Sequence, residues 1–296
     1  MKSRFTFLAG ALILALVPVR PALADLTFTY TTIDVPGAVG TIAAGINDFG
    51  QIVGVYQLPD GSRHGFLFTP GIGFAPIDDP HATSGSEATG INDFGQIVGA
   101  YNLSPPEDGR LFDGAHGFLY TWGTFREIDF TGAIATTPHK VNDWGEIVGV
   151  YRLTDGTAQG FTDTWGTLAT LNFPGAASTQ DNGINNWGII VGRYKASSGA
   201  AKQGFLYNNG TFTTIDFPSA ASTVAAAIGN SGDIVGFYTS SGGTAFGFLD
   251  QGGSFSTIAF PNASGTWAFG INDTGGIVGA YTDQSGVIHG FLASFS

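Results

Sequence analysis

This 296-residue sequence predicts an all-β fold, a six-bladed β-propeller of four-stranded blades, and three observations carry that expectation. A twelve-residue segment, GINDFGQIVGVY at Gly45 to Tyr56, returns in five edited copies at Gly90, Lys140, Gly183, Ala227 and Gly270. The steps between copies are 45, 50, 43, 44 and 43 residues, the length of one supersecondary unit that must stack on its neighbours. Each unit also holds four short apolar runs rich in Ile, Val, Phe, Tyr and Thr, bounded by Gly, Asn, Asp and Pro, which read as strands.

Taken in chain order, the first element is not part of the repeat. Lys2 and Arg4 precede an apolar stretch from Phe5 to Val17, and Ala22-Leu23-Ala24 offers a small-residue cleavage pattern, so residues 1–24 read as a secretory signal peptide. The stretch is shorter than the roughly 20 residues that cross a bilayer, so no membrane span is expected after cleavage. Removing it takes away three cations and no acid, which moves the net charge from −12 to −15.

Residues 25–296 then form the repeat domain, and the segment Thr27 to Pro36 has the TTID character of a fourth strand before any first strand has appeared. Within each unit the order is a first strand ending in GIN, a second of QIVGVY type, a third of HGFLF type and a fourth of TTID type. The muted alternation fits blades covered on both faces. The glycine of every second strand (Gly54, Gly99, Gly149, Gly192, Gly236, Gly279) is expected to permit close approach between blades. The chain ends on a third strand, Gly290 to Phe295, so the N-terminal strand is needed to complete the last blade. Such exchange closes the ring and leaves no open sheet edge between first and last blade.

Residues present in every copy read as scaffold. The Asn-Asp-x-Gly segments are turns between first and second strands; as calcium loops they offer too few oxygens, and Asp48, Asp93, Asp143 and Asp273 give way to Asn186 and Asn230. His64, His116 and His289 fall at equivalent places in separate blades and cannot converge on one ion. Each is expected to bond a strand carboxylate such as Asp34 or Asp129. No metal and no cofactor are expected.

Function is sought where the copies disagree. Trp144 and Trp187 replace Phe49 and Phe94 ahead of the turn glycine, and Trp122 and Trp165 sit in third-to-fourth turns. Four of the five tryptophans thereby fall on one face of adjoining blades, where rings either pack between blades, the commoner use, or form platforms for sugars and partner surfaces. On the opposite face the second copy carries a seven-residue insertion through LSPPEDGRLFDG, Leu103 to Gly114. Glu87, His139 and Lys140 enter the inner strands near the channel mouth. They could do acid–base chemistry but read first as solvated rim residues.

Composition narrows the partners. An acidic chain with few clustered Lys and Arg argues against nucleic acid, and the absence of cysteine removes any disulfide framework. The sequence therefore reads as a binding scaffold for extracellular polysaccharide or a surface protein, expected as a monomer, secreted or periplasmic. Two other readings are a glycan-active hydrolase or lyase using Glu87 and His139, and a structural matrix component.

The pattern HGFLYxxGTFTTIDFPGAxxTxAxGINDxGQIVGxY resembles the bacterial extracellular repeats called HAF repeats, after their His-Ala-Phe signature. Here the signature is His-Gly-Phe at His64, His116 and His289, with Gln159, Gln203 and Phe246 in the other copies. The resemblance spans the repeat domain and implies a secreted bacterial protein. The family carries no established activity, so the resemblance implies no catalytic residues.

Overall fold

The computed structural model of the protein describes residues 26–103 and 114–295. The expected signal peptide and nearly all of the insertion lie outside the described residues. Among the described residues every regular element is a strand, and twenty-four of them form six four-stranded antiparallel sheets. Blade 1 runs Gly40–Ile46, Ile52–Gln57, Arg63–Thr69 and Gly73–Pro76 from channel to rim. The inner strands of blades 2 to 6 are Gly85–Ile91, Ala135–Val141, Ser178–Ile184, Ser222–Ile228 and Gly265–Ile271. Blade 6 ends at Ile288–Phe295, and Phe28–Ile33 pairs with it from Phe28↔Phe295 to Ile33↔Gly290. The protein is thus a six-bladed β-propeller sealed by its N-terminal strand.

One phenylalanine per blade anchors each sheet. Phe66, Phe118, Phe161, Phe205, Phe248 and Phe291, the Phe of the His-Gly-Phe position, are all fully buried. Burying a side chain of this size stabilises by about 2–3 kcal/mol, repeated around the ring. Seams between blades are closed by stacked rings: Phe130, which follows the outer strand of blade 2, lies face to face with Tyr151 of blade 3 at 3.8 Å. The same stack recurs at Phe173–Tyr194, Phe217–Tyr238 and Phe260–Tyr281.

Two glycine positions do different work from what the sequence suggested. A Cβ on Gly54 would come within 1.9 Å of the Ile42 carbonyl and 2.7 Å of the Phe66 ring, both in its own blade. The second-strand glycine therefore makes room for the buried phenylalanine rather than for the next blade. Contact between blades falls chiefly on the first-strand glycine: a Cβ on Gly90 would lie 2.7 Å from the His139 carbonyl of blade 3, whereas one on the third-strand Gly65 would lie 2.3 Å from the Ile77 carbonyl of its own blade and 3.2 Å from the Ala88 nitrogen of blade 2.

Every inner strand carries a one-residue bulge. The register shifts across Ala44, Thr89, His139, Asn182, Ala226 and Phe269 in turn. Such an extra residue is left out of the ladder and re-aims its neighbours. Pro138, which has no N–H to give a ladder, sits at the edge of the blade 3 bulge.

Candidate functional site

The turn face is organised by asparagine. Asn142 Oδ1 accepts from the backbone N–H of Trp144 and of Glu146, which fixes the turn, and its Nδ2 donates to the Asn185 carbonyl of the next blade. Asn47, Asn92, Asn185 and Asn272 reach their own next blades in the same way. The following residues close a second ring, in which each backbone N–H donates to the next side chain: Asp48 to Asp93, then Asp143, Asn186, Asn230, Asp273 and back to Asp48. The acidic turns are spent on these bonds, as the turn reading expects. Burial, and then the carboxylates around it, push the Asp93 carboxyl above its ordinary value, against the lowering effect of the Asp48 N–H.

Phe49, Phe94, Trp144 and Trp187 are 63–73 % exposed, and Trp122 and Trp165 are 85 % and 80 % exposed. The packing reading of these tryptophans is overturned: none of the four is buried between blades. Three of them are nonetheless held. Trp144 Nε1 donates to the Asn186 carbonyl at 2.9 Å, Trp187 Nε1 to the Asn230 carbonyl at 3.0 Å, and Trp165 Nε1 to the Trp144 carbonyl at 2.8 Å. Phenylalanine has no N–H for such a tie, so the exchange of Phe for Trp orients the ring.

Trp122 and Trp165 carry a further cost. Both open two-residue turns, with φ of 53° and 54°, followed by glycines at 90° and 88°. Asn209 holds the same place in blade 4, φ 46°, and asparagine suits it. For tryptophan the left-handed region costs about 1–2 kcal/mol.

Trp144 and Trp165 flank a groove between blades 2 and 3, of about 510 Å³, whose other walls include Gln96, Arg126 and Asp143. Arg126 reaches across from blade 2 to Asp163 of blade 3, Nη2 to Oδ2 at 3.3 Å, and Asp163 Oδ1 accepts from the Gly166 N–H at 2.6 Å. One buried carboxylate thus fixes both the Arg126 head and the Trp165 turn. Sequence reasoning missed Arg126 and Asp163. The signal was present: Asp163 interrupts a third strand where Phe68 and Tyr120 stand in blades 1 and 2.

The inner-strand candidates sit elsewhere than expected. Glu87, His139 and Lys140 are half-buried, and burial dominates the electrostatics of all three, so the solvated-rim reading is corrected. Lys140 takes the place of a glycine, and its Nζ donates to the carbonyls of Ala44 at 2.7 Å and Thr89 at 2.8 Å. Burial pushes its ammonium down to about 7. The His139 Nδ1–H donates to the Asp181 carbonyl at 2.9 Å. Burial pushes its imidazole down to about 4; the Asp181 bond opposes this, and the charges of Lys140 and Arg193 add to it. Glu87 is pushed up to about 7 by burial, partly offset by Arg63. No hydrogen bond joins Glu87 to His139 among the described residues, and Glu87 Oε1 has no hydrogen-bond partner.

The repeated histidines behave as expected. His64, His116 and His289 bond Asp78, Asp129 and Asp34 through Nδ1 at 2.8, 2.6 and 2.7 Å. Glu127 joins the middle pair, bringing one ligand atom from each of His116, Glu127 and Asp129 within 4.8 Å of the others. The His–Asp bond also forms in blades 1 and 6, and in blade 6 a second carboxylate, Asp283, approaches His289 Nε2 at 3.5 Å, so the trio reads as the repeat pair with a glutamate added.

No family model and no curated protein matches the chain. Among solved structures it is similar to AofleA from Arthrobotrys oligospora, at 14% identity and a TM-score of 0.56, covering 92% of this chain and 88% of that one. It is similar also to the fungal lectin of Aleuria aurantia, described as a six-bladed β-propeller with a fucose recognition mode, at 12% identity and a TM-score of 0.54 over 90% and 96% of the chains. A streptogramin B lyase structure matches at 12% identity and 0.53 over 92% and 98%. At such identities the likeness shows the fold alone.

Proposed function

We propose that the protein is a saccharide-binding propeller whose tryptophan face, centred on the groove between Trp144 and Trp165, receives neutral sugar rings. The observation that carries this reading is the pair Trp122 and Trp165, held in left-handed backbone at 85 % and 80 % exposure. A strained residue that gains no burial points to a role outside the fold. Tryptophan presents a flat apolar ring with little rotamer entropy to lose, which suits the apolar face of a sugar. Arg126 and Gln96 supply donors for hydroxyl groups beside that platform. The fold shared with fucose-binding fungal lectins supports the reading at the level of scaffold.

The HAF-like repeat and the N-terminal apolar segment support a secreted bacterial protein of that family acting as a monomer on extracellular polysaccharide. A protein partner on the cell surface would use the same exposed rings. The experiment is a glycan microarray with the mature chain, repeated with Trp144→Ala and Trp187→Ala. Bound sugars that disappear in the variants support the proposal; an empty array, or unchanged binding, contradicts it.

A further inference from the structure

On the face opposite the tryptophans, a groove of about 430 Å³ opens between blades 3 and 4. Its walls include Arg152, Arg193 and Lys195, with Gln180, Ser178 and Thr157 between them. The concentration is unusual for this chain, which has only seven Lys and Arg among its described residues against a net charge of −12 overall. Arg152 and Lys195 hold the same repeat position, the end of the second strand, in adjoining blades. Lys202 stands close enough that the charges of Arg193 and Lys195 add to its desolvation in lowering its ammonium.

Arg193 is the centre of the group. It occupies a second-strand place that is Val55, Ala100, Val150, Phe237 or Ala280 in the other blades. Its Nε donates to Gln180 Oε1 at 2.9 Å, and among the described residues no carboxylate pairs with it. Burial, and then the neighbouring Arg152, push its guanidinium down to about 10. A largely desolvated guanidinium without a counter-charge is costly, and an anion bound beside it would offset that cost. The one carboxylate on the groove wall, Asp155, belongs to the exposed turn, where its Oδ1 accepts from the Thr157 N–H at 2.8 Å.

We propose that this groove is a second binding site, specific for an acidic saccharide whose carboxylate is taken by Arg193 and Lys195. The planar guanidinium fork of Arg193 matches a carboxylate, and the Gln180, Ser178 and Thr157 side chains match ring hydroxyls. The acidic remainder of the surface selects against long polyanions such as nucleic acid, since the like-charged field outside the groove repels them. The site shares no residue with the tryptophan face and does not rest on it.

The test is calorimetric titration of the full mature chain with a short galacturonate oligomer and, as control, the matching galactose oligomer, in wild type, Arg193→Gln and Lys195→Ala. Removing one charged hydrogen bond is expected to weaken the galacturonate oligomer about ten- to a hundredfold in each variant. Lys195→Ala changes a partly exposed side chain at a strand end, so its folding is not at issue, and circular dichroism checks Arg193→Gln. Equal affinity of Lys195→Ala and wild type overturns the proposal. So does equal binding of the two oligomers, or inorganic sulfate binding as tightly as the galacturonate oligomer. Loss of neutral-sugar binding in the tryptophan variants leaves this result untouched, so the two proposals fail separately.

Discussion

Lys140 of blade 3 reaches across the channel to blade 1, its Nζ 2.7 Å from the carbonyl of Ala44. The inner strands of five blades carry small residues here, Gly45, Gly90, Gly183, Ala227 and Gly270, and the lysine fills the lumen they leave. Burial holds its folded-state value near 7, against 10.5 for the free side chain. Between those values the unfolded chain binds the proton that the folded chain has lost, so the contribution of Lys140 to stability rises with pH from about 7 to 10.5. Denaturation midpoints measured across that window are expected to climb in wild type more than in Lys140→Met. Parallel curves for the two proteins contradict the burial of this amine.

Glu87 acts in the opposite sense. Its carboxyl is raised from 4.5 to about 7, so the stability it contributes is complete below 4.5 and is lost as pH rises through about 7. Glu87→Gln is expected to flatten the fall in stability between those pH values. An unchanged profile would show that the carboxyl is solvated after all.

Asp181 is a fold error by the standard of its own repeat. Alanine stands at this place in blades 1, 2, 5 and 6, yet Asp181 is fully buried and neither carboxylate oxygen has a hydrogen-bond partner. Burial raises it well above the ordinary carboxylate range. Asp181→Ala is expected to stabilise the protein by about 1–3 kcal/mol, the cost of a buried unsatisfied polar group. A lower unfolding midpoint in the variant would show that the carboxyl has a partner of its own.

The ring closure has an equally direct check. Tyr30 packs edge-on against Phe291 and tilted on Phe260, at 6.0 and 5.2 Å. A chain beginning at Gly37 loses these rings and exposes the edge of the Ile288–Phe295 strand, so it is expected to melt lower and to aggregate. The same midpoint as the full chain would contradict closure by the N-terminal strand.

Much of the architecture was legible because each blade repeats the same local requirements: an asparagine turn, a buried phenylalanine and a closing fourth strand. The tryptophans were legible as departures from that repeat, but their exposure was not, since a turn aromatic can equally pack between blades or face solvent. The Arg126–Asp163 pair was hidden because its partners belong to different blades. The placement of Glu87, His139 and Lys140 was misread for a local reason. A one-residue bulge in every inner strand re-aims the side chains beside it, and nothing in a single copy announces the extra residue.

Strain offers a stability prediction on the tryptophan face. Trp122→Asn places in blade 2 the residue that blade 4 uses at Asn209, and is expected to stabilise by about 1 kcal/mol through relief of the left-handed backbone. A destabilised variant would mean that the Trp122 ring supports the fold.

Titration of a microarray-identified neutral saccharide into wild type, Trp144→Ala and Trp165→Asn shows whether the exposed tryptophans bind sugar. Wild type is expected to bind in the micromolar to millimolar range, weakened at least about tenfold in each variant while the unfolding midpoint of Trp165→Asn holds or rises, each lost platform amounting to about 1.4 kcal/mol or more. Equal affinity in all three proteins would contradict sugar binding by these rings.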